Sequence, residues 1–135
     1  MNTVERPRVA PILIGGMVGV VVFDALGSAV SRQLGFSYAL LIPGSLLIYG
    51  VVAALVARRR DWVTGLLSAM AMAITDLTLG WAVSWLIGPG KPAGGFTVVT
   101  IVGAIVTAFV GAGLAGSIGA WLGIRGIRSS RAPAA

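Results

Sequence analysis

Two aspartates, Asp24 and Asp76, lie inside stretches that are otherwise apolar, and they are the residues best placed to do chemistry. A carboxyl at bilayer depth costs about 2.5–3.5 kcal/mol on insertion scales, so it normally has a partner or a task. The other two acids, Glu5 and Asp61, stand in terminal and loop segments. The chemistry open to the buried pair is proton exchange or cation binding. Two carboxyls held close in a low-dielectric site cannot both stay ionised cheaply, so a proton leaves when a cation arrives. The competing role is structural. A neutral aspartic acid can hydrogen-bond to Ser28, Thr75, Thr78 or a backbone carbonyl and fix helix register, worth roughly 1 kcal/mol.

Spacing puts both acids on small, mildly polar faces. Gly16, Val20, Asp24, Gly27, Ser28 and Ser31 share one helical stripe. Gly65, Ala69, Met72, Asp76, Gly80 and Ser84 share another, with Thr75 beside them. Lipid would leave the carboxyls unsatisfied, so these faces should turn inward. The expected relay or binding set is therefore Asp24, Asp76, Ser28, Thr75 and Ser84.

The composition excludes other chemistries. The chain has no Cys and no His, which removes thiol nucleophiles, His-based triads and the usual zinc and copper ligand sets. No metal and no cofactor is expected. The Gly-x-Gly-Asp signature of aspartyl intramembrane proteases is missing, since the contexts are Val22-Phe23-Asp24 and Ile74-Thr75-Asp76. No other nucleophile has a base to activate it, so no enzyme is expected. The net charge of +6 comes from cations scattered at segment ends and not interleaved with aromatics, which argues against nucleic acid.

The elements that position the acids follow from hydropathy. Of 135 residues, 57% are apolar and 10% charged, against about 25% charged in a soluble domain. The chain reads as one all-α integral membrane domain, 1–135, with spans at 9–30, 36–57, 62–87 and 96–124. At about 1.5 Å per residue each can cross a hydrocarbon core of roughly 30 Å. A secretory leader at the N-terminus is disfavoured by the length of the first apolar run. Residues 125–135 read as a basic, flexible cytoplasmic tail.

Arg6, Arg8, Arg58, Arg59, Arg60, Arg125, Arg128 and Arg131 fall on one side, and Arg32 and Lys91 on the other. This bias puts both termini in the cytoplasm, and heavy Ala, Gly, Val and Arg use suggests a bacterial cytoplasmic membrane. Tyr38 and Trp85 read as interface aromatics at the outer end, while Tyr49, deeper, needs a hydroxyl partner.

Three further features shape the expectations. Leu26-Gly27-Ser28-Ala29-Val30-Ser31 resembles Leu79-Gly80-Trp81-Ala82-Val83-Ser84, which suggests a four-helix bundle of two tandem hairpins related by an axis along the membrane normal. Asp24 precedes its Leu-Gly by two residues and Asp76 by three, so the acids break the frame. Pro43-Gly44 should interrupt the second helix about two turns from its outer end and bend it. In the fourth span Gly103, Thr107, Gly111, Ala115, Gly119 and Gly123 form one row, and Ala104, Ala108, Ala112, Gly116 and Ala120 the next. Such rows let helices approach closely. One is expected inside the bundle, the other at a homo-oligomer or partner-protein interface.

The functional expectation is a small transporter or channel-like subunit for a proton, cation or small cationic solute. The alternative is a membrane scaffold or accessory subunit, in contact with lipids, whose acids are structural. Size and span count are shared with small multidrug exporters and fluoride channels, but no longer motif of either is present.

Overall fold

The computed structural model describes residues 8–88, 90 and 95–129, with the side chains of 127–129 excepted. Arg6, Lys91, Arg131 and residues 130–135 of the expected tail lie outside the described residues. The chain is helical, and the described residues include no strand. Four helical stretches, Ala10–Leu34, Tyr38–Arg59, Trp62–Ile87 and Val98–Gly126, are long and apolar enough to cross a membrane.

Helix α1 (Ala10–Leu34) opens with Pro11 in its first turn, where a missing N–H costs nothing. Ser31, Arg32 and Gln33 do not break it, contrary to the expected end at residue 30. The stop is Gly35, whose φ of 71° lets its N–H bond back to Ser31 O. A 3₁₀ turn (Tyr38–Leu41) then leads into α2 (Ile42–Arg59). Pro43 lies in the first turn of α2, so it starts a helix and does not bend one. At Gly44 the helix lies close to Phe23, because a Cβ there would meet the tip of the Phe23 ring and push it aside.

The third span is the irregular one. Asp61 caps α3 (Trp62–Thr75) by accepting from both the N–H and the hydroxyl of Thr64, at 2.8 Å each. The helix then widens into a π-helical turn, Asp76–Gly80, before α4 (Trp81–Ile87). Helix α5 (Val98–Ser129) opens with a reciprocal Thr97–Thr100 cap. It continues through Ser129, so Arg125 and Arg128 stand on helix and not on a frayed end. Arg125 lies over the Trp121 ring at 3.7 Å.

Small residues explain the packing. Helix α5 lies most closely on α2, then on α3, and α2 lies on α3. A Cβ at Gly119 would run into the backbone of Gly50, and one at Gly123 into Ala54 O. Gly111 faces Leu46, and Gly116 faces Ala69. Ala112 and Ala120 are fully buried and Ala108 is half-buried against the core. Residues of both rows of the fourth span therefore make contacts inside the chain. Gly103 is the exception, with nothing within 4 Å of a Cβ placed there. Large apolar residues such as Leu26, Leu67, Leu79, Leu114 and Ile118 point outward, which gives the molecule a broad apolar surface.

Among the described residues, helix α1 packs against α2, α3, the π turn and α4, but its backbone does not come close to that of α5. An axis along the normal relating two hairpins would pair α1 with α3 and α2 with α5. The extensive α2–α3 contact would then need an α1–α5 counterpart, which the described residues lack.

Candidate functional site

Helical periodicity delivers the acids to a common place. On α1, Gly16, Val20, Asp24, Ser28 and Ser31 are buried together. Along the third span, Gly65, Ala69, Met72, Thr75, Gly80 and Ser84 are buried, and Asp76 is half-buried. The stripes meet at Gly80. A Cβ at Gly80 would collide with Asp24 Oδ2 and come within 2.6 Å of Asp76 Oδ1. The absence of a side chain at that position is what lets the two carboxyls approach each other.

Each carboxyl has a tyrosine. The Tyr38 hydroxyl donates to Asp24 Oδ1 at 3.1 Å, and the Tyr49 hydroxyl donates to Asp76 Oδ2 in a short hydrogen bond. The chain has only two tyrosines, and both serve the acids. Tyr38 comes from the 3₁₀ turn and Tyr49 from α2, so α2 and its entry turn clamp a pair supplied by the first and third spans.

The expected hydroxyl partners do not bond the acids. Thr75 gives its hydroxyl to Ala71 O at 3.0 Å, and Thr78 gives its own to Ile74 O at 2.7 Å. Ser28 and Ser84 are fully buried one turn beyond the pair, and neither hydroxyl has a partner at bonding distance among the described residues. Arg32 does not answer Asp24. It donates to Ile87 O at 3.1 Å.

A cavity of about 260 Å³ adjoins the pair. Asp24, Asp76, Tyr38 and Tyr49 line one wall; Leu41, Ser45, Leu77, Trp81 and the stretch of α5 with Gly103 and Thr107 form the others. Thus the one unpacked glycine of the α5 row faces the cavity. Trp81 is anchored by its Nε1–H to Gly90 O at 2.8 Å, and the Phe96 ring sits edge-on to Trp81 and Trp85 at 5.3 and 4.9 Å. Pro43 lies outside this lining. The helix break of consequence is the π turn, which begins at Asp76 itself. Such turns recur at functional sites.

A carboxyl pair with hydroxyl donors, beside a largely apolar cavity, can bind and release protons or hold a small cation. Its two negative charges cannot both go unanswered at low dielectric. Tyr49 was legible as a hydroxyl in need of a partner and Tyr38 as an interface aromatic, but their pairing with the acids was not. No family model matches the chain, and comparisons with curated proteins and with solved structures give no match.

Proposed function

We propose that the chain is a non-enzymatic, four-helix protein of a bacterial cytoplasmic membrane, with both termini inside, that moves protons or a small cation. Asp24 and Asp76 are the exchanging groups, and Tyr38 and Tyr49 hold them in place. The observation that supports this best is the convergence of two carboxyls from different spans on Gly80, at the wall of a cavity. Structural acids have no need of an adjoining cavity.

The scaffold reading draws on a different observation. Each carboxyl accepts a tyrosine hydroxyl, as it would if it only fixed helix register. The two readings part on substitution. In liposomes holding purified protein and a pH-sensitive dye, an imposed potential should drive proton or cation flux in the wild type. Asp24→Asn and Asp76→Asn should fold and lose most of it. Normal flux in both folded variants would leave the acids structural, with membrane lipids or a membrane-protein partner engaging the outer surface.

A further inference from the structure

We infer that a second, water-bearing route, separate from the cavity, runs between α1 and α4 and connects Asp24 to the end of the molecule that carries Arg32. Three buried side-chain oxygens have no partner at bonding distance among the described residues: Asp24 Oδ2, which abuts the Asp76 carboxyl, Ser84 Oγ, which lies near the Tyr38 hydroxyl, and Ser28 Oγ. Their residues are 1%, 0% and 0% exposed. Buried polar atoms are nearly always partnered, by protein or by ordered water, and a water typically makes about three such bonds. Here the three orphans are neighbours in the fold. Ser28 is one helical turn beyond Asp24, and Ser84 is one turn beyond Gly80, which touches Asp24.

The row leads somewhere. One turn past Ser28 lies a surface hollow of about 320 Å³, lined by Ala29, Arg32, Gln33 and Ile87. Neither Ser28 nor Ser84 lines the cavity beside the acids. Asp24 lines the cavity itself: its Oδ1 is held by Tyr38, while its Oδ2 lies beside Gly80 and the Asp76 carboxyl. Glycines let the chain close over this row: a Cβ at Gly88 would come within 2.7 Å of Ser28 O, and one at Gly90 would collide with Ser84 Oγ.

Serine hydroxyls both donate and accept, so Ser28 and Ser84 can orient water for proton transfer. A proton arriving from water forms an O–H bond at Asp24 Oδ2. On release that bond breaks and the proton returns to water. The titratable groups facing Asp24 are Asp76, Tyr38 and Tyr49, and Arg32 stands at the mouth. The purpose of the route rests on proton exchange at the pair, but the route itself does not.

The chain's lack of cysteine makes the test direct. Ser28→Cys and Ser84→Cys, each the sole thiol, are placed in liposomes and exposed to silver ions, and surviving thiols are counted by a mass tag. Leu26→Cys, on the outward face of α1, is the reference. Thiols react as thiolates in contact with water, so both buried sites should react about tenfold faster than the reference, or more. Filling the hollow with Gln33→Trp should slow Ser28→Cys and leave a cavity site, Ser45→Cys, unchanged. A rate at either buried serine no faster than at Leu26→Cys overturns the route, as does insensitivity to Gln33→Trp. Fast labelling together with undiminished flux in Asp24→Asn and Asp76→Asn would instead overturn proton exchange at the pair and keep the route.

Discussion

The two acid-bearing helices reach the same meeting point by different backbones. Around Asp24, α1 is an unbroken α-helix. Around Asp76, the third span turns through a π segment. The sequences differ in the same place: Gly27 follows Asp24 by three residues, and Gly80 follows Asp76 by four. A π turn closes i→i+5 where an α turn closes i→i+4, so it holds one more residue. Everything beyond it is turned back by about one residue, roughly 100°, relative to a continuous α-helix. That rotation brings Ser84 onto the face of Asp76. The single-residue mismatch between the two similar segments is thus absorbed by local backbone geometry and not passed to the rest of the helix.

The largest expected effect tests this contrast directly. Deleting Ala25 from α1, where no π turn can take up the change, should rotate Ser28 and Ser31 by about 100° out of the packed face. Deleting Thr78, which is exposed, should convert the π turn to α and leave the downstream register in place. Thermal unfolding in mild detergent should show collapse for the first and a modest drop for the second. Equal behaviour would mean that the π turn absorbs nothing.

The two equivalent glycines should also part. Gly80→Ala drives a methyl into both carboxyls, and overpacking of this kind costs about 1–3 kcal/mol. At Gly27 a Cβ meets only the end of the Leu41 side chain, which can move, so Gly27→Ala should cost clearly less by the same unfolding measurement. Smaller again are the tyrosines. Tyr49→Phe and Tyr38→Phe each remove one hydroxyl from a carboxyl, for about 1 kcal/mol. Tyr49 is 1% exposed and Tyr38 is half-buried, so Tyr49→Phe should be the costlier.

The smallest effect lies outside the spans. The Thr64 N–H and hydroxyl hold the Asp61 carboxyl below its ordinary range. Because the folded value is depressed, the stabilisation is present above the ordinary carboxylate range and is lost as pH falls through the folded value. Asp61→Ala should therefore lower the melting temperature slightly at neutral pH and make no difference in strong acid. Asp61 is fully exposed, so the change should be small.

Legibility in the sequence tracked regularity. The four spans and the two acid stripes follow from hydropathy and the 3.6-residue period, and they recur at nearly the expected positions. The partners of the acids did not follow. Tyr38 sits in a 3₁₀ turn, outside the period that aligns the helical stripes, and its apolar flanks made it look like an interface aromatic. Pro43 was misplaced for the same reason. The 3₁₀ turn is as apolar as the helix it precedes, so the run from 36 to 57 hid where α2 begins. The rows of α5 were ambiguous because glycines at spacing four look alike whether the facing helix belongs to the same chain or to another. The π turn left one trace, the extra residue between Asp76 and Gly80, which was visible as a broken frame without its cause.

The central claim is that Asp24 and Asp76 form one interacting pair. It is tested most directly by following the carboxyl C=O infrared band across a pH titration in the wild type, Asp24→Asn and Asp76→Asn. The chain has only four acids, so the buried pair can be separated from Glu5 and Asp61. Acids in contact titrate in linked steps that belong to the pair. Removing either one should therefore shift both the frequency and the titration of the other. If each aspartate keeps the same band and the same curve when its counterpart becomes asparagine, the two do not meet and the account fails.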